Sequence, residues 1–371
     1  MPQRVLFAAG GTMGHIAPAL AVAEELQRED QSILVSLVGS AKGIESRIES
    51  KYHWDFIPKV PLPRGISVSA LSFPFRLSYA ILKSIPLVGR SNLVLGFGGY
   101  ISTPIYFAAK LLRKPIMIHE ANALPGFANR LGRRWAREVF VNFATLGRSW
   151  NAQVVGIPLR DEIVDLAHRS GRDAAPSLSK RERSRPKILV MGGSLGSAKI
   201  NEVIWNSLEQ LLQKYEIRHL VGYGKLPEKY RAHLEQGARN RRVDSYRVEE
   251  FSSNMASAYE EADLVIARAG AVTCAEIREL RKRAILVPLG HGNGEQNFNA
   301  EEIVNLGLGI SVSDQDFTSS WLLGHIDQAV AIDLESLNNP LQQPLLRAAT
   351  IMAAAIKKEL ARSSHSKAEH Q

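Results

Sequence analysis

Five short segments of the chain combine glycines with residues able to move protons or bind anions. The first is Gly10-Gly11-Thr12-Met13-Gly14-His15, directly after the apolar run Val5–Ala9. Glycines in such a turn admit close approach of a ligand, and a following helix presents unpaired N–H groups to an anion. A neutral imidazole at His15 suits a general base near pH 7; the competing reading is a histidine that only caps or packs. The second segment, Met191-Gly192-Gly193-Ser194-Leu195-Gly196-Ser197, repeats the strand, glycine and helix order. Two such turns in one chain suggest a single phosphorylated ligand served from both halves, although either turn alone is equally a device for tight packing. Neither has the G-x-G-x-x-G spacing of a dinucleotide site, and no Walker A pattern occurs.

The third segment runs Arg268-Ala269-Gly270-Ala271-Val272-Thr273-Cys274-Ala275-Glu276. A carboxylate in the first turns of a helix either accepts from a ribose diol or complements the helix dipole. The fourth, Pro288 to Ala300, is a polar glycine-rich loop at a strand's carboxyl end, and its Gln296 suits sugar hydroxyls. The fifth, His119-Glu120-Ala121-Asn122, ends a strand and lacks the second histidine of a zinc H-E-x-x-H helix, so no metal site is expected. Gly156-Ile157-Pro158-Leu159-Arg160 adds a guanidinium that is either a bidentate diphosphate ligand or one of many surface arginines.

These segments need elements to hold them. Val5–Ala9, Ile33–Val38, Leu93–Leu95, Ile116–Ile118 and Val139–Val141 read as buried strands, with helical patterns such as Ala17–Arg28 and Pro104–Leu112 between them. After the polar, basic stretch Arg169–Pro186, which reads as a linker or exposed loop, strand-like runs resume at Ile188–Met191, His219–Val221, Leu264–Ala267 and Ile285–Leu289. Such alternation predicts an α/β protein with parallel sheets covered on both faces, in two Rossmann-like domains facing a cleft. The boundaries expected are 1–160 and 161–340. A helix over 345–360, with Pro344 at its start, is expected to pack back on the first domain.

Ile66–Val88 fits this scheme less well. It is apolar but interrupted by prolines and serines, with Leu71, Phe73, Phe75 and Ile81 beside Arg76 and Lys83, and with Arg64 and Arg90 at its flanks. It reads either as core helix or as an interfacial patch with apolar groups in lipid and cations on headgroups. No run of 18 apolar residues predicts a membrane span, and Val5–Ala9 is too short for a signal peptide. The single cysteine, Cys274, excludes an intrachain disulfide and favours a reducing compartment. A net charge of +9 suits an anionic partner or a solvated basic surface.

Taken in order, the segments GGTMGHIAPALAVAEEL, GFGGYIS, HEAN, VVGIPLR, GGSLGSAKIN, EEF..MA.AY..AD, RAGAVTCAEI and EQNFNA resemble the MurG family, bacterial transferases that move N-acetylglucosamine from UDP onto lipid-linked muramyl-pentapeptide. The resemblance runs from the first glycine turn to about Ala300. It implies the type B glycosyltransferase fold, a membrane-facing acceptor domain first and a UDP-sugar domain second. The implied reaction is inverting transfer from UDP-N-acetylglucosamine to the C4 hydroxyl of undecaprenyl-pyrophosphoryl-muramyl-pentapeptide, in peptidoglycan synthesis. His15 falls on the proposed base, with Glu120 orienting or replacing it. Thr12, Met13, Gly14, Asn122, Arg160 and Ser194 fall on donor contacts. Ser252 falls on the residue whose backbone reads uracil, Ala271, Val272, Thr273 and Glu276 on the nucleotide stretch with Glu276 on the ribose, and Gln296 near the sugar. No cofactor is implied, UDP-N-acetylglucosamine being a substrate, and fixed donors would make a divalent cation unnecessary. The expected place is the anionic cytoplasmic face of the cell membrane, as a peripheral protein docked through Leu71–Ile85. The chain departs from the family pattern in having Met13 where a second glycine is usual and Ser252 where isoleucine is common.

Two rivals remain at this stage. A UDP-N-acetylglucosamine 2-epimerase shares the two-domain plan and needs no lipid acceptor. A basic polyanion-binding protein suits the charge, but no zinc-finger spacing or RNP-like aromatic motif supports nucleic acid as a partner.

Overall fold

The computed structural model describes residues 2–41, 43, 45, 50–61, 63, 68–172, 185–193, 195–228, 245–290, 294–337 and 346–368. Ser194, Arg64, Pro344, part of the expected linker (173–184) and three residues of the fourth segment (291–293) lie outside them. The chain divides into two compact units. Unit 1 takes residues up to Arg160 together with the C-terminal helix, and unit 2 begins at Asp161.

Unit 1 is a seven-stranded sheet, all of whose pairings are parallel: β1 Arg4–Ala8, β2 Leu34–Gly39, β3 His53–Phe56, β4 Leu93–Gly96, β5 Ile116–Glu120, β6 Glu138–Val141 and β7 Gln153–Val154, in the order β3-β2-β1-β4-β5-β6-β7. Unit 2 repeats the plan with β8 Lys187–Met191, β9 Glu216–Leu220, β10 Tyr246–Glu249, β11 Leu264–Ala267, β12 Arg283–Leu286 and β13 Gly309–Ser311, in the order β10-β9-β8-β11-β12-β13. Numbered from the first strand of each unit, the orders read 3-2-1-4-5-6-7 and 3-2-1-4-5-6, the doubly wound arrangement whose direction of winding reverses beside the first strand. Strands β3, β7, β10 and β13 are announced by no apolar run, and they are the four sheet edges. An edge strand buries less than a central one, so HWDF, QV, YRVE and GIS carry no continuous apolar signal.

In unit 1, helices α1 (Met13–Glu29), α2 (Val68–Gly89), α3 (Gly99–Leu111), α4 (Phe127–Gly132) and α5 (Ala144–Trp150) connect the strands. In unit 2 they are α6 (Asp161–Arg172), α7 (Ala198–Lys214), α8 (Met255–Glu261), α9 (Ala271–Glu279), α10 (Glu295–Asn305) and α11 (Ser319–Val330). Helix α1 starts four residues before the expected Ala17, at the glycine turn itself, so His15 lies in its first turn. Helix α3 likewise starts at Gly99, and Pro104 lies inside it rather than at its head. Its start is set by Gly98 and Gly99, whose positive φ values of 93° and 77° admit glycine and few others.

The last helix, α12 (Ala348–Ala368), packs on α1. Its Ala348, Met352, Ala353, Ile356 and Leu360 join Ala19, Val22, Ala23 and Leu26 in one buried cluster on a face of the first sheet. Polar contacts frame that seam: the Thr350 hydroxyl donates to Glu25 at 2.8 Å and Lys357 pairs with Glu29 at 2.9 Å.

Candidate active site

The carboxyl ends of the strands carry the residues singled out above, and in doubly wound sheets that edge is where ligands bind. In unit 1 the winding reverses between β1 and β4. The turn after β1 and the Phe97–Gly99 turn after β4 therefore face each other there. His15 from the first turn lies against the second: a β-carbon on Gly99 would sit 3.2 Å from its Cε1 and Nδ1. Thr12 is the N-cap of α1 in extended conformation, and its hydroxyl lies 3.4 Å from His15 Nδ1. Met13 takes ordinary helical backbone at the first helical position, so this departure from a glycine imposes no left-handed conformation.

Burial holds the His15 imidazole below its ordinary pKa, opposed by a hydrogen bond with the Gly10 carbonyl and by the Glu45 carboxylate. The ring is therefore neutral at pH 7 and able to accept a proton. Glu45, in the β2–β3 connection, is a residue the sequence reading missed. It is buried, and its carboxylate accepts from the Ser40 N–H at 2.5 Å and the Gly11 N–H at 3.3 Å. Nothing in the local pattern of residues 40–50 marks it, because its partners are backbone N–H groups, and the one at Gly11 is brought to it only by the pairing of β1 with β2.

Glu120 ends β5 and is also buried. One oxygen accepts from the Asn122 N–H (3.0 Å) and side-chain amide (3.3 Å), the other from the Gly126 N–H (3.1 Å) and the Asn129 amide (3.0 Å). Burial raises its pKa and these donors oppose the rise. Both oxygens are thus taken up in shaping the loop after β5, which makes Glu120 an organiser of that loop in this arrangement. Asn129 continues the network, donating to the His119 carbonyl at 3.0 Å and accepting from the Tyr106 hydroxyl at 2.8 Å. His119 is pushed down to about 4, by burial first, and its Nε2 donates to the Gly156 carbonyl at 2.8 Å. Asn122 and Arg160 are both half-buried, the latter at the end of unit 1.

In unit 2 the turn after β8 leads into α7 through Ser197, whose side chain caps Ile200 N–H at 3.2 Å. This turn is locked to the Val221–Lys225 loop after β9. Gly196 and Gly222 both have positive φ, and a β-carbon on Gly196 would lie 2.0 Å from the Val221 carbonyl oxygen. The Lys225 ammonium donates to the Gly196 carbonyl at 3.1 Å. Lys225 was not anticipated as a site residue, since a lone lysine after a glycine carries no specific signal.

Gly270 caps α9, so the N–H groups of Ala271, Val272 and Thr273 occupy the first turn, where a helix has no partners for them. Glu276, one turn on, is buried and accepts from the Tyr259 hydroxyl at 2.7 Å. Tyr259, fully buried on α8, is a further orienting residue that the motif EEF..MA.AY contained without revealing its partner. Arg268 braces the neighbouring loops, donating to the Val287 carbonyl at 3.1 Å and to Asp314 at 2.5 Å. The Gln296 carbonyl accepts from the Leu289 N–H at 3.0 Å. The Ser252 hydroxyl is turned inward, accepting from Arg218 at 3.2 Å and donating to the Asn254 carbonyl at 3.1 Å, so what it offers a ligand is main chain. Among the described residues, no group of three or more His, Cys, Asp or Glu is placed to hold a metal ion.

The segment suspected of lipid contact is helix α2, continuous through Pro74 and Pro86. Its outward face carries Leu71, Phe75, Tyr79 and Leu82, 77%, 79%, 53% and 63% exposed, at the three- and four-residue spacing of one helical stripe. Arg76 and Lys83 are exposed beside it, whereas Phe73 and Ile81 are turned partly inward. The difference in exposure follows helical phase: α2 packs on α3, and its buried residues include Ala80 and Ser84. Among the described residues, no helix is long and apolar enough to cross a membrane.

Comparison with known proteins covers both units. Residues 5–141 match the glycosyltransferase family 28 N-terminal domain, and residues 187–357 match the C-terminal domain of that family. A UDP-N-acetylglucosamine–N-acetylmuramyl-(pentapeptide) pyrophosphoryl-undecaprenol N-acetylglucosamine transferase of Streptomyces coelicolor is 38% identical over 324 residues, 86% of this chain and 87% of the relative. The crystal structure of Acinetobacter baumannii MurG superposes with a TM-score of 0.69 at 28% identity, over 96% of this chain and 100% of that one. A UDP-GlcNAc 2-epimerase from Neisseria meningitidis shares only the fold, at 14% identity and a TM-score of 0.56, over 96% of this chain and 100% of that one. The chain belongs to glycosyltransferase family 28 and, within it, to the MurG family, with the type B glycosyltransferase fold.

Proposed function

We propose that this protein transfers N-acetylglucosamine from UDP-N-acetylglucosamine to the C4 hydroxyl of undecaprenyl-pyrophosphoryl-N-acetylmuramyl-pentapeptide, with inversion at the anomeric carbon. The observation that carries the reading is the 38% identity to a transferase of that name over 86% of the chain, spanning both units. The geometry supports a division of labour. Unit 2 holds the donor: main chain at Ser252 for the uracil, Glu276 held by Tyr259 for the ribose, and the α9 start beside it for the nucleotide. The turn before α7 and Lys225 serve the diphosphate, and Gln296 the sugar.

Unit 1 serves the acceptor. The acceptor C4 oxygen attacks the anomeric carbon as the bond to UDP breaks, and neutral His15 takes the hydroxyl proton. Such a base contributes about 10²–10⁴-fold. The leaving diphosphate gains charge, and donors already fixed in place stabilise it without reorganising. A divalent cation is unnecessary on this reading. The lipid tail of the acceptor stays in the bilayer, and the exposed α2 stripe with Arg76 and Lys83 docks the protein on the anionic cytoplasmic face.

Radiolabelled UDP-N-acetylglucosamine mixed with a lipid-linked muramyl-pentapeptide analogue tests the proposal. Label should appear on the acceptor, in the presence of EDTA as in its absence. No transfer, or a new UDP-sugar formed from the donor alone, would overturn it, the latter in favour of an epimerase.

A further inference from the structure

His15 sits in an unfavourable place for a group that must acquire a positive charge. It lies in the first turn of α1 and its ring rests on the first residue of α3. Two helix N-termini, each equivalent to a partial positive charge, therefore bear on one imidazole. The hydroxyl of Thr12 is uncharged, His119 at the end of β5 is neutral and buried, and both carboxylate oxygens of its neighbour Glu120 are taken up by Asn122, Gly126 and Asn129. The negative group that faces this corner from the β2–β3 connection is Glu45.

Its carboxylate is built into the turn. A β-carbon on Gly10 would come within 3.0 Å of Glu45 Oε1, and one on Gly39 would overlap its side chain at 2.5 Å. Glycines at both strand ends thus leave the room that the carboxylate fills. Its two oxygens take the Ser40 and Gly11 N–H groups, one from each of the two connections. Gly10, between Gly11 and the strand, is the residue whose carbonyl holds the His15 ring. A buried carboxylate carries a desolvation cost that an apolar side chain would avoid, so its presence asks for a charge-dependent reason.

We propose that Glu45 is a positioning residue for the reaction: its buried carboxylate pins the Gly10-Gly11 turn, and with it the His15 ring, and supplies the negative charge that offsets the two helix N-termini there when His15 takes a proton. It touches neither substrate nor reacting atoms. The inference rests on His15 being the base, as set out above. Without the carboxylate the imidazolium loses its counter-charge, so His15 becomes a weaker base and titrates at lower pH.

The test uses full-length Glu45→Gln. The pH profile of kcat/KM for sugar transfer is measured alongside the NMR titration of His15 in protein labelled at histidine carbons, the signal being identified by its loss in His15→Gln. The expected result is a fall of about tenfold or more in kcat/KM at neutral pH, with the acid limb and the His15 titration both moved down by about half a pH unit or more. UDP binding, which belongs to unit 2, should be unchanged, and hydrogen exchange in unit 1 reports whether the fold around Glu45 is intact. A merely structural role would lower the rate and leave both titrations in place; that result overturns the proposal. If unit 1 of Glu45→Gln loses its exchange protection, Glu45→Asp replaces it: withdrawing the charge by one methylene should give a smaller shift in the same direction, and no shift overturns the proposal equally. If the wild-type protein transfers no sugar, the function assigned above fails, while the His15 titration still decides the role of Glu45.

Discussion

At the scale of single residues, this chain uses burial to set charge. His15, His119 and His219 are all held below the ordinary imidazole range, with burial the largest cause in each. Only His15 keeps partial access to solvent in a turn at a sheet's carboxyl edge. His15→Ala should lower turnover by about 10²–10⁴-fold with UDP affinity unchanged, measured by steady-state transfer and calorimetry. A loss below tenfold would remove it as base. The other two have a different consequence. His119 and His219, down at about 4 and about 3, are neutral in the folded chain and take up protons on unfolding near their ordinary value of about 6.5. Their contribution to stability is therefore complete above about pH 6.5 and is lost as pH falls from there toward 4 and 3. Urea midpoints should drop over that window, and His219→Gln, which can keep one of the bonds to Asn201 and Tyr246, should flatten the drop. An equal slope in the variant would refute the assignment.

At the scale of elements, the two glycine turns look alike in sequence and differ in charge. The turn before α1 carries the Glu45 carboxylate and the turn before α7 the Lys225 ammonium. A cation beside a helix N-terminus is tolerated best when an anion shares the place. Lys225→Met should therefore weaken UDP binding by about tenfold and uridine binding by less than about twofold, since a charge-assisted contact to phosphate contributes about 1.5 kcal/mol. Equal losses for both ligands would make Lys225 a packing residue only. Helix α2 carries a second prediction at this scale. Phe75→Ser with Leu82→Ser should reduce binding to anionic liposomes and leave UDP binding intact, because both side chains point outward from a helix that otherwise packs on α3. Undiminished liposome binding would show that α2 is not the dock. The exposed stripe was legible only in part from sequence. Phe75 and Leu71 lie on it, but the phase that leaves Phe73 and Ile81 less exposed is set by α3, some twenty residues along the chain.

At the scale of the molecule, two doubly wound sheets that share the order of their first six strands are joined in a single chain, and α12 returns to complete the first. Ile356 is fully buried in the cluster that α12 shares with α1. Ile356→Ala should destabilise the protein by about 2–5 kcal/mol, read from its denaturant midpoint, with the loss confined to unit 1 in hydrogen exchange. Exchange that rises equally in unit 2 would show that the two units unfold as one. The apolar runs of Val5–Ala9 or Leu264–Ala267 determined the central strands by themselves, because a strand buried on both faces can carry few polar residues. The glycines between those strands and the next helices determined the turns, through conformations that other residues rarely adopt. Tertiary structure alone decided the rest. The edge strands needed neighbours before they became strands, since their own residues bury one side at most. Glu45 reached the Gly11 N–H, and Tyr259 reached Glu276, only when separate segments met, because a hydrogen bond between different elements leaves no periodicity in sequence. Which histidine stays accessible was decided in the same way, by how deeply the packed sheet encloses each ring.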